Sequence, residues 1–377
     1  MSSDSHRSAA PTRPLRPPDA AADDRTGRGL GRYLRGWLLL FWCSAFAAVV
    51  LGATLVPHFS DSAELVRMRN ALLFDSLPAS HEWTPADPPA DFAIENRPPN
   101  PLYAGVVARG NFRAEDGDWV TALGIARHLL AGGRRNGGAI QSDLDETYRR
   151  ITSHADGYCG DFADVFTGLA SAAGVFSRPW AFSFDGFGGR GHIFNEIWDR
   201  AERRWIMIDV FNNMYFTGDD GRPLSAAELH AALQRGSPLR VVPIAAAARP
   251  GFKYDVKAID YYRRGLPEWY MWWGNNVFEY DQAILVRLFG RVSRSLEQIG
   301  GIAQGAHPHI RVLQDDANLS QVAAIQRLKW RIFAFLGALL VALFSVVMYL
   351  KRARRARREG DLARSESAPH ASDSLVD

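Results

Sequence analysis

Three residues of this sequence, Cys159, His192 and Asp209, have side chains that suit a nucleophile, a general base and an acid that orients the base. Cys159 is one of only two cysteines in 377 residues, and it directly precedes an apolar pattern with helical spacing. A helix N-terminus and a nearby histidine both favour the thiolate form of a cysteine, and a carboxylate fixes the ring and tautomer of the histidine. The three residues therefore predict covalent catalysis by a cysteine.

The residues after Cys159 predict the helix that carries it, because apolar side chains recur there on one helical face and Gly174 follows as a stop signal. The face consists of Phe162, Val165, Phe166, Leu169 and Ala173. Asp161 is expected to accept hydrogen bonds from backbone N–H groups of the first turn. The backbone N–H of Cys159 is the expected oxyanion donor, and Tyr158 is a candidate for the second donor.

Two short segments, "HIFNEIW" and "RRWIMIDV", predict the strands that position the histidine and the aspartate. If they form a hairpin that turns at Arg200 and Ala201, the paired positions place His192 directly opposite Asp209. A register error of one residue would put the two side chains on opposite faces. The contact between histidine and aspartate therefore depends on the register of this hairpin.

Two further helices are predicted on either side of these segments. Ser225 and Glu228 have the spacing of a capping box, so a helix is expected to begin there. The segment "DWVTALGIARHLL" has helical periodicity. Its predicted buried face consists of Trp119, Leu123, Ala126 and Leu130.

The motifs around the three residues resemble those of the transglutaminase-like superfamily of cysteine enzymes, which is built on a papain-like core. Members carry a Gly-x-Cys helix start, a His-x-x-Asn-Glu strand, and an aspartate that closes the next strand. This chain has "GYCGDFADVFTGLASAAGVFSR", "GHIFNEIW" and "WIMIDV" in that order. The resemblance covers residues 111–235, about a third of the chain.

The resemblance implies an α+β fold in which the helix bearing the cysteine packs on an antiparallel sheet. It assigns Cys159 as nucleophile, His192 as base and Asp209 as orienting acid, with no cofactor and no metal. Two positions depart from the family pattern. Phe194 stands where a tryptophan is common, and Val210 where a proline often follows the aspartate.

Two uncharged apolar runs predict transmembrane helices, Gly36–Val56 with 21 residues and Ile332–Leu350 with 19. Each is long enough to cross a hydrocarbon core of about 30 Å at about 1.5 Å per residue. The folded part of the chain is thus expected to be held between two transmembrane helices. A cleaved signal peptide is the alternative interpretation of the first run.

Basic residues flank these runs mainly on their outer sides. Four arginines lie between residues 25 and 35, and "KRARRARR" follows the second run. Cytoplasmic flanks carry the excess of Lys and Arg, so both termini are expected in the cytoplasm. The sequence therefore predicts a two-pass protein of the bacterial plasma (inner) membrane with its catalytic domain in the periplasm.

Composition and motifs divide the chain into seven predicted segments. They are a disordered cytoplasmic tail (1–35), a transmembrane helix (36–56), an extended extracytoplasmic arm (57–110), a transglutaminase-like domain (111–245), an aromatic-rich extension (246–331), a second transmembrane helix (332–350) and a basic cytoplasmic tail (351–377).

The distribution of charge argues against a nucleic-acid partner. The formal net charge of +3 comes from the two tails, and the residues between them carry −2. No glycine-rich phosphate loop is present.

The segment His307–His309 resembles a metal site only weakly, since no acidic cluster lies near it in the sequence. His192 and Glu196 would have zinc-ligand spacing only on a helix, and they lie on a predicted strand.

An aromatic segment, Gly265–Asp281, follows the resembling region. Three interpretations are open: the rings pack against the domain, lie at the bilayer interface, or stack on sugars. The last would suit an enzyme of envelope polymer assembly.

Two functions from different classes agree with these observations. The first is a membrane-anchored cysteine hydrolase or transamidase that forms an acyl-enzyme from a peptide or protein amide. The second is a catalytically silent binding or scaffold domain that holds a peptide, an envelope polymer or a membrane-protein partner in the same groove. Thiol reactivity of Cys159 distinguishes them.

Overall fold

The computed structural model describes residues 20–75, 80–132, 138, 140, 142–247, 252, 254–314 and 316–366. The chain divides into two compact units, one formed by Met1–Thr54 with Phe333–Asp377 and the other by Leu55–Ile332. Most of the tail predicted to be disordered, residues 1–19, lies outside the described residues.

The first unit contains most of two long helices, α1 (Ala20–Leu55) as far as Thr54 and α12 (Leu319–Glu366) from Phe333 onward. The parts of these helices at 34–59 and 319–362 are long and apolar enough to cross a membrane, by length and composition. Large apolar side chains on them are exposed, with Phe46 72% and Phe344 56% accessible. The tails predicted beside the spans are helical where they are described, since α1 begins at Ala20 and α12 continues to Glu366.

The second unit is built on a mixed six-stranded sheet, in the order β1-β8-β7-β2-β3-β4. Its strands are β1 (Phe74–Asp75), β2 (Ser177–Ser183), β3 (Gly191–Asp199), β4 (Arg204–Ile208), β7 (Trp269–Trp272) and β8 (Ile310–Val312). Strands β5 (Met214–Thr217) and β6 (Arg240–Pro243) form a separate antiparallel pair. All neighbours in the large sheet are antiparallel except β1 and β8.

Ten further helices are described in this unit, so the predicted α+β class is confirmed. They are α2 (Ser62–Leu73), α3 (Pro101–Gly110), α4 (Asp118–Leu130), α5 (Leu144–His154), α6 (Cys159–Ala172), α7 (Ala226–Arg235), α8 (Asp255–Gly265), α9 (Val277–Gln282), α10 (Ile284–Gly290) and α11 (Arg294–Gln304). Short 3-10 turns occupy Val56–Phe59, Ala114–Asp116 and Leu266–Glu268.

The sheet has an apolar core on each face. Alternate residues of β4 show this arrangement, because Ile206 and Ile208 pack with helices α3 to α6, whereas Trp205 and Met207 pack with α7, α8 and β7. Because both faces of β4 are buried, its sequence is a continuous run of apolar residues and does not alternate between apolar and polar ones.

Helix α6 begins at Cys159, as the sequence predicts. Gly157 turns the chain before it with φ +104°, a conformation that favours glycine, and Asp161 accepts a 2.7 Å hydrogen bond from the backbone N–H of Tyr158. The predicted apolar face is buried against β2, β3, α3 and α4. The helix ends at Ala172, and Gly174 follows with φ +77°.

The predicted register of the β3–β4 hairpin is wrong by two residues. The prediction set Glu196 opposite Trp205 and His192 opposite Asp209, whereas Glu196 lies opposite Met207. Side chains alternate between the faces with a period of two, so a shift of two residues keeps each side chain on its predicted face. His192 and Asp209 therefore share a face and meet diagonally beyond the end of the ladder.

The longer turn has a local cause. The carboxylate of Asp199 accepts hydrogen bonds from the backbone N–H groups of Ala201 and Glu202 at 2.9 and 3.0 Å. The guanidinium of Arg200 reaches the carboxylate of Asp118 at 2.9 Å. These bonds favour a loop of four residues over the two-residue turn that the sequence suggested.

The other two predicted helices are present, with one difference in the buried face. Ser225 and Glu228 form the predicted capping box at the start of α7. In α4 the predicted Trp119 and Leu123 are only half-buried, and the buried face is rotated toward Thr121. Asp118 is therefore on the buried face, where its carboxylate accepts hydrogen bonds from Arg200 in the β3–β4 turn.

The predicted arm and the aromatic extension are parts of the second unit. Residues 57–110 contain α2, α3 and β1, and residues 246–331 supply β7 and β8 to the sheet. Trp269, Trp273 and Phe278 are each at most 1% exposed. These rings therefore pack in the core, which agrees with the first of the three interpretations. Rings that contact a bilayer or stack on sugars at the outer surface would have to be exposed, and these are not.

Candidate active site

His192 and Asp209 form a buried hydrogen-bonded pair. His192 Nε2 lies 2.7 Å from Asp209 Oδ2, and the two side chains are 2% and 0% exposed. His192 is on the second residue of β3, and Asp209 directly follows β4, where its backbone forms an isolated bridge with Met214. The sequence prediction that these two side chains meet is therefore confirmed, although the register that suggested it is wrong.

Two residues that the sequence analysis did not identify hold Asp209 in place. Asn212 donates from Nδ2 to Asp209 Oδ2 at 2.7 Å, and its backbone N–H donates to Oδ1 at 3.0 Å. The hydroxyl of Tyr262, on α8, donates to the same Oδ2. An Asp followed three residues later by Asn is a local turn signal. No local signal points to Tyr262, which lies 53 residues from Asp209.

The pair has strongly coupled ionisation. Burial alone would lower the pKa of His192, but the charge of Asp209 and hydrogen bonds with Asp209 and Cys159 outweigh burial and raise the pKa to about 10. Burial alone would raise the pKa of Asp209, yet His192, Tyr262 and the backbone of Asn212 hold this pKa below its ordinary range. The arrangement favours an imidazolium beside a carboxylate.

Cys159 lies beside this pair and opens into a cavity. It is the first residue of α6 and is half-buried, and it lines the same cavity as His192. Because Asp209 engages Nε2, Nδ1 is the ring nitrogen left for the thiol. Nucleophile, base and orienting acid are thus connected in the order that proton transfer needs.

The start of α6 supplies an oxyanion donor. The backbone N–H of Cys159 belongs to the first turn of α6, whose N–H groups have no acceptor within the helix. Tyr158 lines the cavity with 52% of its side chain exposed, so its hydroxyl remains a candidate for the second donor. Asp161 is occupied by capping the helix, as predicted.

The cavity beside Cys159 has a volume of about 430 Å³ and is lined by charged and aromatic side chains. Its charged residues include Arg69 on α2, Asp161 and Asp164 on α6, Asp281 near the end of α9, and Arg294 on α11. The aromatic side chains that line it include Tyr270, Trp272 and Tyr280. Part of the aromatic segment thus forms a wall of the candidate active site.

The weak metal motifs have other roles in the described residues. Glu196 is buried in an ion pair with Arg178 at 2.7 Å, on a strand and not on a helix. His307 packs its ring 5.3 Å from that of Trp272, and burial lowers its pKa to about 3. Among the described residues, no three His, Cys, Asp or Glu side chains are grouped so that they could hold a metal ion.

The chain was also compared with known proteins. No protein-family model, no curated protein and no solved structure matches it. The chemistry of the site therefore rests on its own geometry: a thiol at a helix N-terminus, a histidine bonded to a buried carboxylate, and a cavity that reaches the thiol.

Proposed function

We propose that this chain is a membrane-anchored cysteine enzyme of transglutaminase-like type that acts on amide bonds through an acyl-enzyme on Cys159. The observation that carries the proposal is the 2.7 Å bond between His192 and the buried Asp209, with His192 and Cys159 lining one cavity. The order of the three motifs in the chain supports the same class of enzyme.

In this mechanism the sulfur of Cys159 attacks the amide carbonyl after its proton passes to His192 Nδ1. The backbone N–H of Cys159 stabilises the oxyanion that forms. The imidazolium of His192 then protonates the leaving amine, the carbon–nitrogen bond breaks, and the acyl group stays on the sulfur. Asp209 stabilises the imidazolium and keeps Nδ1 directed at the sulfur.

The acyl-enzyme then transfers its acyl group to an acceptor. With water as acceptor, His192 removes a proton from the water and the enzyme is a peptidase or amidase. With an amine as acceptor, the enzyme is a transamidase. The proposal includes a peptide or protein amide as substrate and no cofactor.

The two apolar helices support a location at the membrane, and the basic residues outside them support cytoplasmic termini. The proposed catalytic unit then faces the periplasm, where peptides and polymers of the cell envelope are available as substrates.

The test is the reactivity of Cys159 in the full chain in detergent. A Cys43→Ser background leaves one thiol, whose alkylation by iodoacetamide is followed by mass spectrometry. We expect alkylation well above that of free cysteine, and a loss of this excess in His192→Ala. Incubation with envelope peptides should leave an acyl adduct on Cys159, absent from Cys159→Ala. Alkylation no faster than that of free cysteine, with no adduct, would contradict the enzyme and favour a binding domain.

A further inference from the structure

Among the described residues of the cavity beside Cys159, one acidic side chain makes neither a hydrogen bond nor an ion pair, and one basic side chain makes no ion pair. They are Asp164 on α6 and Arg69 on α2. Both line the same cavity as the thiol, so a substrate bound for attack by Cys159 lies within reach of them. What each of them contacts decides which substrate group it can hold.

The carboxylate of Asp164 lies inside the cavity, where a small molecule can reach it although the protein walls surround it. Within the described part of the chain it makes no hydrogen bond and no ion pair. The surrounding walls desolvate the carboxylate and raise its pKa to about 7, whereas Arg294 and Arg69 act in the opposite direction. A bound cation would restore full ionisation of Asp164, because an adjacent positive charge lowers the pKa of a carboxyl group.

Arg69, on α2, is the basic counterpart of Asp164 in the lining of this cavity. Its Nε and Nη2 donate only to the amide oxygen of Asn70, at 3.1 and 2.9 Å, and its guanidinium lies 5.1 Å from the ring centroid of Trp272. Among the described residues, Arg69 takes part in no ion pair. The aromatic face orients the guanidinium and leaves its outer edge for a ligand.

The other charged residues of the cavity already have partners. Arg294 forms an ion pair with Glu297, and Asp161 caps α6. Asp281 accepts a hydrogen bond from the backbone of Leu144. Among the charged side chains that line the cavity in the described structure, Asp164 is the one without any hydrogen bond and Arg69 is the basic one without an ion pair, and the two form no ion pair with each other.

We propose that the cavity binds a zwitterionic end of the substrate, with an ammonium group against Asp164 and a carboxylate against Arg69. The substrate class is then an amide that carries a free amino-acid end near the bond that Cys159 attacks. This assignment rests on the proposed function and specifies its substrate.

The test uses four bromoacetyl compounds that alkylate Cys159 when its sulfur displaces bromide. Nε-bromoacetyl-lysine carries both charges, its Nα-acetyl derivative only the carboxylate, its α-carboxamide only the ammonium, and the doubly blocked compound neither. In the full Cys43→Ser chain we expect the zwitterion to react fastest, about tenfold faster than the neutral compound, as one or two charge-assisted contacts allow.

Charge variants assign the two contacts. Asp164→Asn should remove the advantage of the ammonium only, and Arg69→Gln that of the carboxylate only, whereas Arg69→Lys should retain most of it. Asp219→Asn and Arg235→Gln make the same charge changes at exposed positions outside this cavity and should preserve the reactivity order. Unchanged melting temperatures show that the variants are folded.

The outcomes separate this inference from the proposed function. Equal rates for the four compounds in the parent chain, or an order that Asp164→Asn and Arg69→Gln leave unchanged, would overturn the zwitterion site. The order is a ratio of rates, so it can be measured even for a slow thiol. A uniformly slow thiol counts against the proposed enzyme, and a flat order counts against the substrate class.

Discussion

At the scale of single residues, Asp209 is the most heavily engaged group of the candidate site. One of its oxygens accepts from His192, Asn212 and Tyr262, and the other accepts from the backbone of Asn212. A buried carboxylate needs such partners because burial of an unpaired charge is strongly unfavourable. The same bonds fix the orientation of the histidine, so stability and the proposed chemistry depend on the same contacts.

Removal of the Tyr262 hydroxyl tests this dependence. Burial and the charge of Asp209 hold the pKa of Tyr262 well above its ordinary value, so the hydroxyl remains a donor. We expect Tyr262→Phe to lower the free energy of unfolding by about 2 kcal/mol, since hydrogen bonds to charged groups contribute roughly 1.5–3 kcal/mol. It should also slow alkylation of Cys159 several-fold. Chemical denaturation and alkylation kinetics measure both effects.

The control is Tyr254→Phe, which removes a hydroxyl from a side chain that is 67% exposed. It should change neither stability nor alkylation. Equal stability of the two variants would contradict the role assigned to Tyr262.

The pH dependence of stability follows from the raised pKa of His192. The folded-state pKa is about 10, against an ordinary value of 6.5. His192 therefore stabilises the folded chain fully below pH 6.5, and this stabilisation is lost as the pH rises through 10. Asp209→Asn removes the charge that raises the pKa, so the difference in stability between parent and variant should shrink across this range.

Denaturation of both chains at about pH 6 and about pH 9.5, in the same detergent, measures this difference. Other titrating groups affect parent and variant alike and cancel in the comparison. A difference that stays constant or grows with pH would contradict the coupling between His192 and Asp209.

At the scale of elements, the site depends on how α6 is attached to β3. Asn195, on β3, donates from its side chain to Thr167 Oγ1 at 2.9 Å and to the backbone oxygen of Ala163 at 3.3 Å. Both acceptors are on α6, so these bonds tie the helix that carries Cys159 to the strand that carries His192. A buried side-chain amide needs hydrogen-bond partners, and these two acceptors satisfy its donors.

Loss of this connection should affect both stability and the thiol. We expect Asn195→Ala to lower the free energy of unfolding by about 2 kcal/mol, because two buried hydrogen bonds are lost at about 1 kcal/mol each. Alkylation of Cys159 should slow because its distance from His192 is less well defined. Asn96→Ala, at an exposed position, is the control for both measurements. An alkylation rate that matches this control would show that α6 is held by its apolar packing alone.

At the scale of the whole molecule, one sheet collects segments from distant parts of the chain. Strand β1 lies before residues 111–235, the region that resembles the transglutaminase-like family, and β8 lies more than 70 residues after it. These two strands pair in parallel at one edge of the sheet. The cavity consequently takes Arg69 from one end, Cys159 from the middle and Arg294 from the other end. A fragment limited to residues 111–245 would lack the cavity residues that α2, β7 and α11 supply.

The orientation of the chain in the membrane gives a prediction at this scale. In spheroplasts of cells that express the Cys43→Ser chain, a membrane-impermeant maleimide should label Cys159 without lysis. Gly360→Cys in a chain that lacks both native cysteines should be labelled only after lysis, since position 360 follows the second span on its basic side. Labelling of Gly360→Cys in intact spheroplasts would reverse the proposed topology.

Local sequence patterns predicted several elements and the faces that they bury, but not α2 and α3, which lie in the predicted extended arm. Helix α6 with its start at Cys159, the capping box of α7 and the two apolar helices follow from local periodicity and caps, which act over a few residues. The alternation of side chains along β3 and β4 predicted that His192 and Asp209 lie on the same face of the sheet. This prediction is correct despite the register error of two residues, because side chains alternate with a period of two.

Only the tertiary structure decided the contacts between residues far apart in the chain. Three features join segments that are separated by tens of residues. They are the bond from Tyr262 to Asp209, the four-residue turn held by Asp118, and the presence of Arg69 and Asp164 in one cavity. No local pattern encodes such contacts, because they arise when whole elements pack to bury apolar surface and satisfy buried polar groups. The three motifs around Cys159, His192 and Asp209 were thus enough to predict the type of reaction. The proposed choice of substrate depends on residues that only the folded chain brings to the same cavity.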